Sequence, residues 1–382
     1  NIPWTGGSLF LETSAQRMDL FSEHKYSWQT SPIMIGYRQS LFGYNSLKWD
    51  KRIEPVRYQE AKKSYVETLE LVSANAINKF FALATAQSNY DIASFNYANA
   101  DTLYRYAQGR YNIGTITENE MLQLELNRLT EETNRMNARI EMDNCMQELR
   151  SYLGIQEERE IRVRVSSRIP DFSINLNEAL ALAYENSPDI QTMKRRKLES
   201  ESAVARARAN AGLKADIYLR FGLTQTADKL PEAYRNLLDQ QYVSLSISLP
   251  ILDWGRGKGQ VRVARSNRDL VYTQVEQNRT DFELNVRKLV KQFNLQTQRV
   301  RIAARTDETA QRRNEVARKL YILGKSTILD LNASISEKDS ARRNYVSALY
   351  NYWSLYYTLR SMTLYDFESN KLLTEDYNLL IE

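Results

Sequence analysis

The side chains that most often carry enzyme chemistry are scarce in this sequence of 382 residues. It has one histidine, His24, and one cysteine, Cys145. A Cys/His zinc site needs several such ligands, and a disulfide within the chain needs two cysteines. We expect His24 to lie in an outer loop and Cys145 to be a small packing residue in a helix. The sequence therefore predicts no catalytic site, no metal site and no cofactor.

Two glycine-containing segments are similar to nucleotide-binding loops but lack their spacing. Residues 324–326 read Gly-Lys-Ser, the end of a phosphate loop, which requires a glycine at position 319, where this chain has lysine. The segment 255–259 follows a predicted strand and opens a helix, but no strand–helix–strand unit surrounds it. We interpret its three glycines as a flexible strand-to-helix joint: Gly255, Gly257 and Gly259.

Composition leaves two broad classes of protein open. The chain has 52 Lys and Arg residues against 47 Asp and Glu residues, a net charge of +5, with no run of five or six like charges. A balance this even predicts no nucleic-acid partner. No segment reaches about 18 consecutive apolar residues, so a membrane-spanning helix is not expected. A soluble protein and a membrane β-barrel both remain open.

An internal match indicates two structural repeats offset by 210 residues. Its main anchors are three pairs, Tyr111 with Tyr321, Gly114 with Gly324, and Thr117 with Thr327. Residues 174–212 read as one helix that leads into the second repeat. Its counterpart in the first repeat would precede residue 1, so we expect a further helix before this chain in the full protein.

Each repeat contains two predicted strands with one apolar face. The clearest strand is 242–249, where apolar residues alternate with serine, and its partner is 215–224; the weaker first-repeat strands are 8–16 and 33–41. Strands of this length suit a tilted bilayer crossing. Four strands cannot close a barrel, and unpaired edges are not viable in hydrocarbon, so closure needs other chains. Three chains would supply twelve strands.

Each repeat also contains a long helix, a tight turn and a helix that runs back. After Gly259 a seven-residue spacing of apolar or small residues predicts a coiled coil, interrupted by Gln296 and Asp307. The segment 260–321 would be about 93 Å long as a helix. A soluble β-sandwich would account for the strands but not for helical hairpins of this length. A fibrous coiled-coil scaffold would account for the helices but not for the amphipathic strands.

The sequence resembles the outer-membrane efflux proteins, or TolC family, over nearly its whole length. The resemblance rests on the order of five motifs: LNEA at 176–179, NSPDI at 186–190, SLPILDWG at 248–255, YILGKST at 321–327 and ALYNY at 348–352. It implies a homotrimer in the outer membrane of a Gram-negative bacterium. A twelve-stranded barrel would continue into a periplasmic α-helical tunnel, and a periplasmic adaptor protein would link it to an inner-membrane pump.

The fold class expected is therefore mainly α with membrane β, made of coiled-coil hairpins and four amphipathic strands per chain. The expected segments are the first-repeat β-hairpin 1–45, the first helical hairpin 46–154, an equatorial segment 155–175, a leading helix 176–214, the second β-hairpin 215–254, the second helical hairpin 255–361 and a second equatorial segment 362–382. Such a protein would conduct substrates passively, by efflux or type I secretion. The alternative is a periplasmic adaptor or coiled-coil scaffold without a pore.

The resemblance places adaptor contact and the tunnel tip at the two helix-reversing turns. The residues concerned are Tyr111, Gly114, Thr115, Thr117, Tyr321, Gly324, Lys325, Ser326 and Thr327. A capping pair is expected after each turn, Thr117 with Glu120 and Thr327 with Asp330.

The same resemblance makes Asp330 and Glu120 candidates for an acidic gate that narrows the tunnel mouth. The second acid and the arginine of the family's gate are here Ala333 and Leu349, which argues against a salt-bridged gate. Outer-membrane lipid is a further expected partner. Aromatic side chains that could lie at its interfaces are Trp4, Trp28, Tyr37, Tyr44, Tyr218, Tyr242 and Trp254.

Overall fold

A computed structural model describes residues 2–22, 25–156, 160–249 and 251–373. His24, the proline of the SLPILDWG motif and parts of both expected equatorial segments, 157–159 and 374–382, lie outside the described residues. The chain divides into two compact units. One contains residues 1–62 and 188–281, and the other contains residues 63–187 and 282–382.

Six α-helices make up most of the described chain. They are α1 (Ser46–Asn112), α2 (Glu118–Tyr152), α3 (Leu176–Asn186), α4 (Pro188–Ala211), α5 (Arg256–Ile322) and α6 (Ile328–Thr363). The long helices and the tight turns that follow them are where the sequence predicted them. None of the described helices combines the length and the apolar character needed to cross a membrane.

The expected single helix over 174–212 is wrong in one respect. The structure has two helices here, because Ser187 leaves the helical conformation with φ −63° and ψ 135°. A residue before proline is pushed out of the α region by the proline ring, and Pro188 then starts α4 at the position where a missing N–H has no cost. The helix also ends at Ala211, three residues before the predicted boundary at 214.

Four antiparallel strands form one sheet in the order β1-β2-β3-β4. They are β1 (Ser8–Leu20), β2 (Lys25–Ser40), β3 (Lys214–Ala227) and β4 (Leu238–Ser248). All four strands are longer than expected, mainly because they continue beyond their apolar parts into polar sequence. A short 3-10 helix, Glu232–Tyr234, lies between β3 and β4, and the two-residue strands β5 (Tyr365–Asp366) and β6 (Lys371–Leu372) follow α6.

One face of the four-stranded sheet is apolar across all its strands. Leu9 pairs with Tyr37, Tyr37 with Leu219, and Leu219 with Val243. Leu9 and Val243 are exposed in the single chain. The alternation expected from the sequence therefore sets the register, because a slip of one residue would move each apolar side chain to the other face. β1 and β4 are the two edges of this sheet.

The second unit has an aromatic core where α5 and α6 pack against the segment after α2. Phe293 lies 5.1 Å from Tyr352 and 5.4 Å from Phe172, between ring centroids. The Tyr352 hydroxyl donates to the Pro170 carbonyl at 2.9 Å. Asn294 exchanges two hydrogen bonds with the backbone of Ile174, which ties the same segment to α5.

Candidate functional site at the helical tips

The two helix-reversing turns have the same local structure. Gly114 has a φ of 75°, and its N–H donates to the Tyr111 carbonyl at 2.8 Å. Gly324 has a φ of 68°, and its N–H donates to the Tyr321 carbonyl at 3.0 Å. A Cβ added at either glycine would meet nothing within 4 Å. The left-handed backbone, and not close packing, therefore favours glycine at both turns.

A reciprocal cap begins each returning helix. The Thr117 hydroxyl accepts from the Glu120 N–H at 3.3 Å, and the Glu120 carboxylate accepts from the Thr117 N–H at 2.9 Å. Thr327 and Asp330 form the same two bonds at 3.2 and 3.3 Å. The capping pairs expected from the sequence are confirmed. The hydrogen bonds that Thr327 donates to the Asp330 carboxylate also lower the pKa of Asp330.

A single cleft of about 730 Å³ borders both turns, although they are 210 positions apart in the sequence. The predicted residues that line it are Thr115, Glu120, Tyr321, Gly324, Ser326 and Thr327. The predicted residues outside its lining are Tyr111, Gly114, Thr117, Lys325 and Asp330. The fold thus brings the two turns into one site, and of the two gate candidates only Glu120 lines the cleft.

Sequence reasoning missed the apolar part of this cleft. Ile328, Leu331 and Ile335 line it from α6, and Ile116 and Leu124 line it from the first hairpin. The spacing 328, 331 and 335 places three apolar side chains on one face of a helix, which is the signal that could have found them. An apolar strip bordered by polar turns suits the end of an amphipathic helical hairpin.

The strand-to-helix joint differs from the expectation. Only Gly255, with a φ of 79°, precedes α5, while Gly257 and Gly259 lie in its first turn. The Asp253 carboxylate accepts from the N–H groups of Gly255 and Gly257 at 2.9 and 2.8 Å, and these hydrogen bonds lower its pKa. Asp253 therefore caps the start of α5, at the passage from β4 into the helix.

Cys145, the single cysteine of the sequence, lies in a packed environment. Cys145 packs beside a core cluster of α1 and α2 that contains Leu83 and Met142. Burial raises the pKa of its thiol, which disfavours the reactive thiolate. Within the described residues, no group of three His, Cys, Asp or Glu side chains could hold a metal ion.

Solved structures that are similar to this chain include proteins of the outer membrane. The CmeC outer membrane channel of Campylobacter jejuni has a TM-score of 0.76 and 15% identity, over 99% of this chain and 81% of its own. The outer membrane protein VceC of Vibrio cholerae has a TM-score of 0.72 and 15% identity, over 94% and 86%. The MtrE outer membrane channel of Neisseria gonorrhoeae has a TM-score of 0.73 and 13% identity, over 98% and 83%.

Part of the amino-acid sequence matches a known protein family. Residues 179–363 match the family described as outer membrane efflux protein. The matched part, just under half of the chain, therefore contains the domain that defines this family, as the order of the motifs indicated. The family is one of outer-membrane efflux channels and not of enzymes, so the alternative of an adaptor or scaffold is not favoured. No curated protein matches the sequence significantly.

Proposed function

We propose that three copies of this chain form a passive duct for efflux or type I secretion. Each copy contributes four strands to a twelve-stranded barrel in the outer membrane, and its helical hairpins continue the duct into the periplasm. Support comes from the sheet, whose edges β1 and β4 have no partner strand among the described residues and whose exposed face is apolar. In hydrocarbon such edges must be paired, and a second and third copy would pair them.

An internal duplication is part of this proposal. α1 and α5 both contain 67 residues, and their first residues, Ser46 and Arg256, are 210 positions apart. The returning helices α2 and α6 begin at Glu118 and Ile328, which have the same separation. Two equivalent hairpins per chain would give a trimeric tunnel six similar hairpins.

The observation that carries the functional proposal is the single cleft shared by the two turns. Its apolar strip and polar borders provide a docking site for the hairpin tip of a periplasmic adaptor, which connects the duct to an inner-membrane pump. Energy enters at the pump, and the duct opens when its helices rearrange at the tip. Asp330 and Glu120 would then lie near the narrow end as rings of three acids, which attract cations.

Bulky substitutions at the turn glycines test this proposal. Gly114→Leu and Gly324→Leu force a side chain into a left-handed conformation that costs about 1–2 kcal/mol and distort the border of the cleft. We expect export, measured as drug resistance in cells that lack their own duct, to be lost while trimers still reach the membrane.

Gly109→Leu is the matched control, since Gly109 is helical, lies near the same turn and has nothing within 4 Å of an added Cβ. It should retain export. Normal export by both turn variants would show that the adaptor does not dock at these turns.

A further inference from the structure

Three connections between strands and helices lie together at one end of the strands in the first unit. They lead from β2 to α1, from α4 to β3 and from β4 to α5. The Leu41 N–H donates to the Ala215 carbonyl at 2.8 Å, and Lys214 pairs with Ser248. The start of α5 lies close to the end of α4: a Cβ added to Gly257 would be only 3.0 Å from the Cβ of Ala211. We call the residues of these connections, 41–52, 206–216, 249 and 251–262, the collar.

The collar concentrates the positive charge of the chain. It has nine basic residues, Lys48, Lys51, Arg52, Arg206, Arg208, Lys214, Arg256, Lys258 and Arg262. It has three acidic residues, Asp50, Asp216 and Asp253, the last of which is occupied as the cap of α5. This excess of six positive charges is larger than the net +5 of the whole chain, so the rest of the molecule is close to neutral.

Most of these cations are available to a ligand. All nine basic side chains belong to exposed residues. Seven of them form no ion pair with any residue that the structure describes: Lys48, Lys51, Arg208, Lys214, Arg256, Lys258 and Arg262. The other two lie over aromatic rings, Arg52 at 4.7 Å from the Trp49 centroid and Arg206 at 4.6 Å from the Tyr44 centroid. Arg52 also lies 3.9 Å from the Glu201 carboxylate.

The same collar exposes large apolar side chains. Trp254 is 94% exposed, Ile251 is 87% exposed and Leu252 is 79% exposed. Trp254 has a φ of 51°, a left-handed conformation that costs energy for a side chain of this size. Asp253 fixes this conformation through its bonds to the next helix, so the indole is presented outward. These residues continue the exposed apolar face of β4, whose last apolar residue is Ile247, and follow the exposed Leu249.

We propose that the collar binds the anionic phospholipid surface of the membrane in which the sheet lies. This inference rests on the proposed function, because it requires the sheet to span a bilayer. Lysine and arginine beside a bilayer attract anionic headgroups, and tryptophan favours the boundary between headgroups and hydrocarbon. The collar has both, directly where the apolar face of the sheet ends. The lipid would fix the height of each chain in the membrane.

The competing occupant of this surface is a neighbouring copy of the chain. Nine basic residues on each of three equivalent collars would repel one another if they were packed together, which favours anionic headgroups as the partner.

Lipid selectivity tests the proposal directly. The full-length protein is reconstituted in vesicles of mixed phosphatidylglycerol and phosphatidylcholine, extracted gently, and analysed for retained lipid by mass spectrometry. In the double variant Lys258→Gln with Arg262→Gln, the ratio of retained phosphatidylglycerol to phosphatidylcholine should fall roughly tenfold. Each cation near an anionic surface raises the affinity for anionic lipid severalfold. The control Lys288→Gln with Lys291→Gln removes the same charge from exposed positions of α5 outside the collar and should keep the preference.

Three results would overturn the proposal. They are equal retention of phosphatidylglycerol by both variants, no preference in the unmodified protein, and loss of trimers in the collar variant, which would assign the collar to contacts between chains. A channel that conducts normally but shows no lipid preference would contradict this inference alone. Absence of any channel would instead contradict the proposed duct.

Tryptophan fluorescence gives an independent test of Trp254. Brominated phosphatidylglycerol quenches indoles that lie in the bilayer interface. We expect Trp254→Phe to remove a clear share of the quenchable emission and to leave trimers intact. Unchanged quenching in this variant would show that Trp254 lies away from lipid, contrary to the proposal.

Discussion

The two helical hairpins have the same type of turn but differ along their paired helices, which we call stems. The first stem is α1 with α2, and the second is α5 with α6. In α1, alanine recurs at every seventh residue in buried positions, Ala86, Ala93, Ala100 and Ala107. Three tyrosines of α1 each lie beneath an arginine of α2, with distances to the ring centroid of 5.6 Å for Arg139 on Tyr90, 4.2 Å for Arg135 on Tyr97 and 5.5 Å for Arg128 on Tyr104. The first stem is thus joined by small side chains and cation–π contacts.

The second stem instead buries polar side chains toward its turn. Asp307 is 5% exposed and accepts from Arg342 at 3.2 Å and from Gln311 at 3.0 Å. Asn314 is 6% exposed and donates to the Ser334 hydroxyl at 3.0 Å. Polar groups in such positions need a partner, because an unpaired buried group is costly.

The turns depend on local sequence, whereas the stems depend on contacts between helices. The turns are alike because a glycine and a reciprocal cap solve the same local problem of reversing a helix. The stems differ because each depends on partners in another helix. We therefore expect the second stem to depend on a few specific polar pairs, whereas the first distributes its stability over many small contacts.

The largest expected effect comes from breaking the Asp307 pair. Arg342→Ala leaves the buried Asp307 carboxylate without its cation and should lower the free energy of unfolding by about 2–3 kcal/mol. Arg135→Ala, the matched change in the first stem, removes a cation–π contact and should cost about 0.5–1 kcal/mol. Thermal and urea unfolding of the purified protein measures both.

A double variant sharpens this result. Replacing both partners, with Asp307→Leu and Arg342→Ala together, removes the unpaired charge and should recover part of the loss. Equal losses for the two arginine variants would mean that the stems do not differ as proposed.

A smaller effect is expected at the helix caps, and it should be the same in both hairpins. Thr117→Ala and Thr327→Ala each remove the hydroxyl that accepts from the third helical residue, at a cost of about 1 kcal/mol. Hydrogen exchange at the first turns of α2 and α6 should accelerate to a similar degree. A marked difference between the two would show that the turns are not equivalent despite their shared geometry.

Much of this fold follows from local sequence patterns. The alternation in 242–249 gives the apolar face of β4, and the Thr-x-x-Glu and Thr-x-x-Asp spacings give the caps. The break at Ser187 was also readable, since Pro188 follows it. Gln296 and Asp307 were recognised only as interruptions of a coiled coil. Their partners, the Ala348 carbonyl and Arg342, lie on another helix, and no local pattern predicts them.

The cleft at the two turns and the collar were likewise not predicted, because each depends on contacts between distant segments of the sequence. The cleft unites two turns that are 210 positions apart, so the helical spacing of 328, 331 and 335 predicts an apolar helix face but not the cleft that this face lines. The collar draws its cations from three separate segments, so a chain with a modest net charge gives no sign of it. Both features exist only after the sheet and helices have brought distant segments together.

Single-channel conductance tests the central claim most directly. The purified full-length protein is added to a planar lipid bilayer, and current is recorded under an applied voltage. A trimeric duct predicts discrete, reproducible conductance steps from a species with the mass of three chains. Bilayers that stay silent, although such a trimer has inserted, would contradict the account.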